Sequence, residues 1–232
     1  MLLKINKILF QTTLFIALLF TSALLIVNLD PFYEFEFQKN NTSYKTGITN
    51  DDLEKTVDNI QDFFNAKSNE KIYMSTYING VEKQLFNEKE IIHMVDVKIL
   101  LNNIKLISVL MWSAIIICIL LYFKLNNKNK TKLFKSATKS YLKFSFSITI
   151  FILIAILIGF RWIFYLFHII SFDNDLWILD PRKDYLIKIF EEIFFMDATI
   201  IIGIITLSSS IIFLLFSNII NKYNERGKIE QS

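Results

Sequence analysis

Histidine is the side chain best suited to moving protons near neutral pH, and this 232-residue chain has two, His93 and His168. Each stands at the edge of a long apolar run. Glu90 and Asp96 lie three residues to either side of His93, a spacing that puts all three on one face of a helix. After His168 come Asp173, Asn174, Asp175 and Asp180, with Trp177 among them. One imidazole as base and the other as acid can carry general acid–base chemistry, and a carboxylate one helical turn away can fix a tautomer. A histidine at a membrane edge beside an acid can also be merely solvated.

Arg161 precedes His168 by seven residues, about two turns, on roughly the same face. A charge in an apolar span is costly and needs a partner. An outer carboxylate, a lipid phosphate, a backbone carbonyl or a reach to the headgroups would serve. Trp162, Phe164, Tyr165 and Phe167 make this end of the run aromatic, as an interfacial belt or as the wall of a lipid-shaped pocket. The single Cys118 sits mid-span, where apolar surroundings disfavour a thiolate. There is no Gly-rich phosphate loop, no cysteine cluster and no internal repeat, and nothing points to a cofactor, a metal or a nucleic acid.

The elements that must position these residues are membrane helices. Hydrophobic residues are 53% of the chain, and four runs can each cross about 30 Å of hydrocarbon: 8–29, 104–123, 144–167 and 198–220. Lipid offers the backbone no hydrogen bonds, so unbroken apolar runs are helices. Lys4 and Lys7 precede the first span, seven lysines and no acid fill 124–143, and Lys222, Arg226 and Lys228 follow the last span. Of 22 acidic residues only Glu225 and Glu230 fall on that side. Basic residues mark the cytoplasmic side, so both termini are expected in the cytoplasm, and 30–103 and 171–197 outside. The first run continues through Val27, too long for a signal-peptide core, and is expected to remain as a helix. The Lys, Asn, Ile and Phe bias fits an AT-rich bacterial genome.

The expected fold class is an all-α membrane protein of four transmembrane helices, with a small extracytoplasmic α+β cap between the first two. Its segments are helix 1 (1–29), the cap (30–89), an outer extension and helix 2 (90–123), a cytoplasmic Lys-rich loop (124–143), helix 3 (144–170), an outer loop with a short interfacial helix (171–197), helix 4 (198–220) and a tail (221–232). In the cap, Phe32–Phe37 alternates aromatic and acidic residues and suits a half-buried strand or an interfacial anchor. Thr49 offers an N-cap to a helix carrying Leu53, Val57, Ile60 and Phe64. Asn79-Gly80 between apolar stretches predicts a hairpin with a type I′ turn. Asp180 and Pro181 suggest the N-cap and first residue of the outer helix. Gly203, Ser208, Ser209 and Ser210 allow close helix contact in the last span.

Two stretches together, 90–98 (EIIHMVDVK) and 167–181 (FHIISFDNDLWILDP), resemble the bacterial membrane family of lipoprotein intramolecular transacylases, as do the four spans and the cap. The resemblance implies a multi-pass protein of the cell membrane, acting at its outer face on a lipoprotein whose N-terminal cysteine carries a diacylglyceryl group. The sn-2 acyl chain would move to the cysteine's own amino group, leaving a lyso-form lipoprotein. His93 and His168 would be the catalytic acid and base. Glu90, Asp96, Arg161, Tyr165, Asp173, Asn174, Asp175, Trp177 and Asp180 would bind substrate or support the site. The partners are the diacylated lipoprotein N-terminus and membrane lipids. Two other readings compete: a metal-dependent membrane lipid hydrolase using both histidines with Asp96 or Asp175, and a non-enzymatic membrane subunit whose cap binds a partner.

Overall fold

The structure, a computed structural model, describes residues 2–68, 71–125 and 130–229. Helix α1 (Leu2–Val27) is followed by α2 (Asp30–Lys39), α3 (Thr42–Thr46), α4 (Asn50–Asn65), strands β1 (Ser75–Ile78) and β2 (Val81–Gln84), α5 (Glu88–Leu125), α6 (Lys130–Ser171), α7 (Tyr185–Ile189) and α8 (Glu192–Ile229). Four helices are long and apolar enough to cross a membrane, at Lys4–Val27, Glu88–Leu121, Lys135–Ser171 and Glu192–Ile219. The fold class is as expected, but the helices run past the apolar stretches. Most of the Lys-rich segment 124–143 is helix, belonging to α5 up to Leu125 and to α6 from Lys130. Lys128 and Glu230 lie outside the described residues.

The chain divides into two compact units. One comprises Met1–Ala23, Lys105–Leu157 and Ile200–Ser232. Its apolar cluster joins Phe10, Leu14 and Ala17 of α1 to Ile115 and Cys118 of α5 and to Ala137 and Tyr141 of α6. Hydroxyl pairs lock the helices: Tyr141 to Ser210 at 2.8 Å, Ser145 to Ser210 at 3.0 Å, Thr138 to Ser217 at 3.0 Å and Thr206 to Ser22 at 3.3 Å. Such bonds suit hydrocarbon, where no water competes for the hydroxyls. Of the small residues in α8, Gly203 and Ser210 are the buried ones. A Cβ on Gly203 would stand 3.3 Å from Leu153.

The other unit comprises Leu24–Ile104 and Ile158–Thr199. Here the stretch Phe32–Phe37 is α2, not a strand. Pro31 enters its first turn, where a missing N–H costs nothing, and Phe32, Glu36 and Phe37 turn inward. The cap therefore holds three helices and one hairpin, rather than one helix and a few strands. α4 starts where expected, with Thr49 accepting from the Asp52 amide at 3.2 Å. The hairpin pairs Ile78 with Val81 across Asn79 and Gly80, both with positive φ (51° and 77°), as a type I′ turn requires. Its tip is tied to α3: the Asn79 amide donates to Gly47 O at 2.8 Å. Gly47 has φ +71°, and a Cβ there would lie 2.4 Å from Asn79 Oδ1.

Leu53, Val57 and Ile60 of α4 pack with Ile78, Leu85 and Phe86, Ile91 and Met94 of α5, and Ile189 of α7. Tyr185 and Ile189 thus join the cap's core rather than lying along an interface. The fully buried Lys98 donates to Ser68 O at 2.5 Å and sits 4.3 Å over the Phe63 ring. The short helix α7 begins at Tyr185 rather than Pro181, and α8 at Glu192 rather than Ala198. α6 is broken at Gly159, whose φ/ψ (−159°, 55°) are not helical.

Candidate active site

His93 stands in the second turn of α5 and His168 in the last turn of α6. Their ring centroids are 6.2 Å apart, with planes 32° from parallel. Both are buried, at 7% and 8% exposure. Phe172 contacts both, 5.1 Å from the His93 ring and 5.7 Å from the His168 ring. Phe164 meets His168 edge-on at 4.4 Å, Phe167 at 5.3 Å, and Trp177 stacks on it at 4.7 Å and 28°. Tyr165 backs Trp177 at 5.6 Å.

The two imidazoles differ in their bonding. His168 Nδ1 lies 2.7 Å from the carbonyl oxygen of Phe164, one turn back along α6. A carbonyl only accepts, so Nδ1 carries the hydrogen and the neutral ring keeps a bare lone pair on Nε2. His93 Nδ1 is buried with no hydrogen-bond partner among the described residues, an uncommon state for a buried polar atom and one that calls for an explanation.

The acids around the histidines have separate duties. Glu90, 1% exposed, does not bond to His93. Its Oε2 accepts from the Asn87 amide at 2.8 Å while Asn87 Oδ1 accepts from the Glu90 amide at 3.2 Å, the reciprocal arrangement of a capping box. Its Oε1 accepts from the Leu186 amide at 2.7 Å. Asn87 Nδ2 donates in turn to Asp184 at 2.9 Å. Of the two carboxylates whose spacing could let one fix the His93 tautomer, Glu90 is instead bonded to amides at helix starts.

Asp96 makes no hydrogen bond to His93 among the described residues, although its charge is felt there, and it accepts from Asn174 Nδ2 at 2.9 Å. Asn174 Oδ1 accepts from the Leu176 amide at 3.0 Å, and Lys89 donates to Ile178 O, so the loop after α6 is fastened to α5. Asp173 and Asp175 are exposed in that loop. Asp180 binds the Arg182 amide and guanidinium, and Arg182 holds its carboxyl down at about 2. Asp180 is thus a turn residue rather than the expected helix cap, and the N-cap of α7 is Asp184. Arg161 pairs with a carboxylate, Glu192, at 3.4 Å, with its side chain 89% exposed.

The fold therefore brings together His93, His168, Tyr165 and Trp177, with the Asp96–Asn174 pair beside them. Glu90, Arg161 and Asp180 bond elsewhere. Sequence reasoning missed Phe172. Its signal was its place four residues after His168, at the point where the polar FDND run stops a helix. A hollow of about 330 Å³ lined by Lys45, Pro181, Ile187, Lys188, Glu191 and Glu192 lies in the same unit and includes neither histidine.

The model of the family described as lipoprotein intramolecular transacylase Lit matches residues 8–195. The solved structure of the membrane integral lipoprotein intramolecular transacylase Lit from Bacillus cereus is similar at a TM-score of 0.74 and 21% identity, covering 97% of this chain and 98% of that one. A variant of that protein with one histidine changed to arginine gives 0.72 at 20% identity, covering 100% and 95%. At such identities the likeness shows the fold. No curated protein sequence matches the chain.

Proposed function

The chain belongs to the lipoprotein intramolecular transacylase family, and from that premise we propose that it moves an acyl chain within a diacylated lipoprotein, from the sn-2 oxygen of the S-glyceryl group to the α-amine of the N-terminal cysteine. The observation that carries the reading is the buried pair of apposed imidazoles, 6.2 Å apart and not hydrogen-bonded to any carboxylate.

His168 is the base. Its Nδ1–H is committed to Phe164 O, which leaves Nε2 to take a proton from the attacking amine. The amine nitrogen adds to the ester carbonyl carbon, and the C–N bond forms as the C–O bond to glycerol breaks. The proton taken by His168 is relayed to the departing glyceryl oxygen through His93, which accepts one proton as it gives one, so that both rings are neutral at the start and at the end of the cycle. One proton leaves nitrogen and one reaches oxygen, so the reaction balances as an ester exchanged for an amide. That exchange is downhill and needs neither nucleotide nor metal. Donor and acceptor share one molecule, so confinement supplies much of the rate. The aromatic shell of Phe164, Phe172, Trp177 and Tyr165 excludes water, which would otherwise hydrolyse the ester.

The site faces the outside of the cell membrane, with both termini in the cytoplasm. The lysine distribution supports that orientation, and lipoproteins displayed in the outer leaflet would meet the histidines there.

The test is mass spectrometry of a lipoprotein's N-terminal peptide from cells lacking lipoprotein N-acylation, with the intact protein, His93→Ala or His168→Ala. The intact protein should give the N-acyl, S-monoacylglyceryl peptide, and both variants the unchanged diacylglyceryl peptide. An unchanged peptide with the intact protein sinks the proposal. Loss of activity on adding a chelator to the purified protein would favour the metal-dependent hydrolase instead.

A further inference from the structure

Trp177 has no counterpart among the chain's other tryptophans. Trp162 is 68% exposed, the posture of a ring resting at a membrane–water boundary. The Trp177 ring instead lies between two neighbours, stacked on His168 at 4.7 Å and 28° and met by Tyr165 at 5.6 Å and 68°. It stands in a stretch, 172–184, without helix or strand, where a ring could adopt many positions. The stretch is fastened on both sides of Trp177: Asn174 bonds to Asp96 and to the Leu176 amide, Lys89 to Ile178 O, and Asp184 to the Asp180 amide at 2.7 Å. Three of these anchors, Asp96, Lys89 and Asp184 (through Asn87), lead to the start of α5, which carries His93. The loop that sets one histidine is thus tied to the helix that bears the other.

We propose that Trp177 is the positioning residue of His168, holding the imidazole plane so that its bare Nε2 meets the substrate amine and giving the imidazolium formed there a π face. Two observations carry it. The Phe164 carbonyl fixes one edge of the ring, Phe164 and Phe167 meet it edge-on, and the indole of Trp177 is the ring that stacks on its face and so sets the tilt of its plane. An aromatic face also attracts a cation, most strongly when the pair is shielded from water, so the stack stabilises the state reached after proton transfer more than the state before it. That is the differential required of a group that assists the transition state. The inference rests on the transacylase reading for its kinetic arm only.

The experiment uses the full chain in phospholipid vesicles, with a synthetic peptide bearing an S-diacylglyceryl cysteine as substrate. Trp177→Leu should lower kcat by about ten- to a hundredfold, the cost of misplacing a reacting group, with KM changed by less than about threefold. Trp177→Phe, which restores a face, should recover most of kcat. The second arm needs no turnover. With Trp112→Phe and Trp162→Phe, the emission of Trp177 should fall in one step as acid protonates the imidazole, because a contacting imidazolium quenches an indole. The step should vanish in His168→Gln. A rise in KM with kcat intact would make Trp177 a substrate contact and overturn the proposal, as would emission that ignores His168. If the intact protein leaves the peptide unchanged while the emission step is present, the transacylase reading fails and the positioning contact stands.

Discussion

Glu90 and His93 are one turn apart on the same helix and equally hidden from water, yet the fold treats them in opposite ways. The bonds of the Glu90 carboxylate end on backbone amides that start helices, at Asn87 and at Tyr185 and Leu186. His93 is left with a buried nitrogen that bonds to nothing, beside a second imidazole with a free lone pair. A buried polar group that is satisfied fixes structure, whereas one left open costs stability and remains available to a substrate. The start of α5 thus carries one carboxylate with its bonds made and one imidazole with a nitrogen left open, and position along the helix does not reveal which is which.

Substitutions that separate activity from stability test this contrast most sharply. His93→Ala and His168→Ala should each reduce turnover of a diacylated lipopeptide by about 10²–10⁴-fold, the usual worth of a general acid or base. Both should still purify as folded membrane protein. An active histidine variant would break the comparison.

Glu90→Ala should do the reverse. It strands the Asn87 and Leu186 amides, at about 1–3 kcal/mol each, so chemical unfolding should show a loss on the order of 2–6 kcal/mol. The kcat of the protein that stays folded should hold near the wild-type value. Lost kcat with unchanged stability would move Glu90 into the chemistry.

Glu36 offers a subtler version of the same contrast. Its carboxyl is fully hidden, bonded to Asn40 at 2.9 Å and near Lys39, which pairs with Asp197. Burial, then the charge of Asp197, push it above the ordinary carboxylate range. A raised acid contributes stability that is complete below its unfolded value, about 4.3, and is lost as pH rises through the folded value. Melting temperature followed from pH 4 to 7 should fall less steeply in Glu36→Gln than in the intact protein; equal slopes would remove Glu36 from the account.

The smallest effect belongs to the membrane unit, whose hydroxyls are bonded to one another. Tyr141→Phe removes the hydroxyl that meets Ser210 and Ser145, and at about 0.6 kcal/mol per bond should cost about 1 kcal/mol on unfolding from lipid with turnover untouched. A loss several times larger would show that the hydroxyl seam is cooperative.

Much of this was legible along the chain. The existence of four spans, the helix after Thr49 and the Asn79-Gly80 turn depend on residues a few positions apart and are found in the structure, although the helices extend beyond the apolar runs. The two histidines were identifiable by their rarity and their places beside apolar runs. What misled was local ambiguity. Phe32–Phe37 alternates like a strand, but Pro31 in a helical first turn and inward-facing Phe32, Glu36 and Phe37 made it α2. Asp180-Pro181 looks like a helix start, but Asp180 was claimed by Arg182 and the helix waited for Asp184.

The sequence by itself determined which segments lie in lipid and which two side chains could exchange protons, because hydropathy and residue chemistry belong to the residues themselves. Only the tertiary structure decided what each acid near them does. Glu90 met an amide 96 residues away, Asp96 an amide side chain 78 away, and His93 nothing. Several carboxylates stood at equivalent spacings, and a short-range pattern cannot rank partners that arrive from distant parts of the chain.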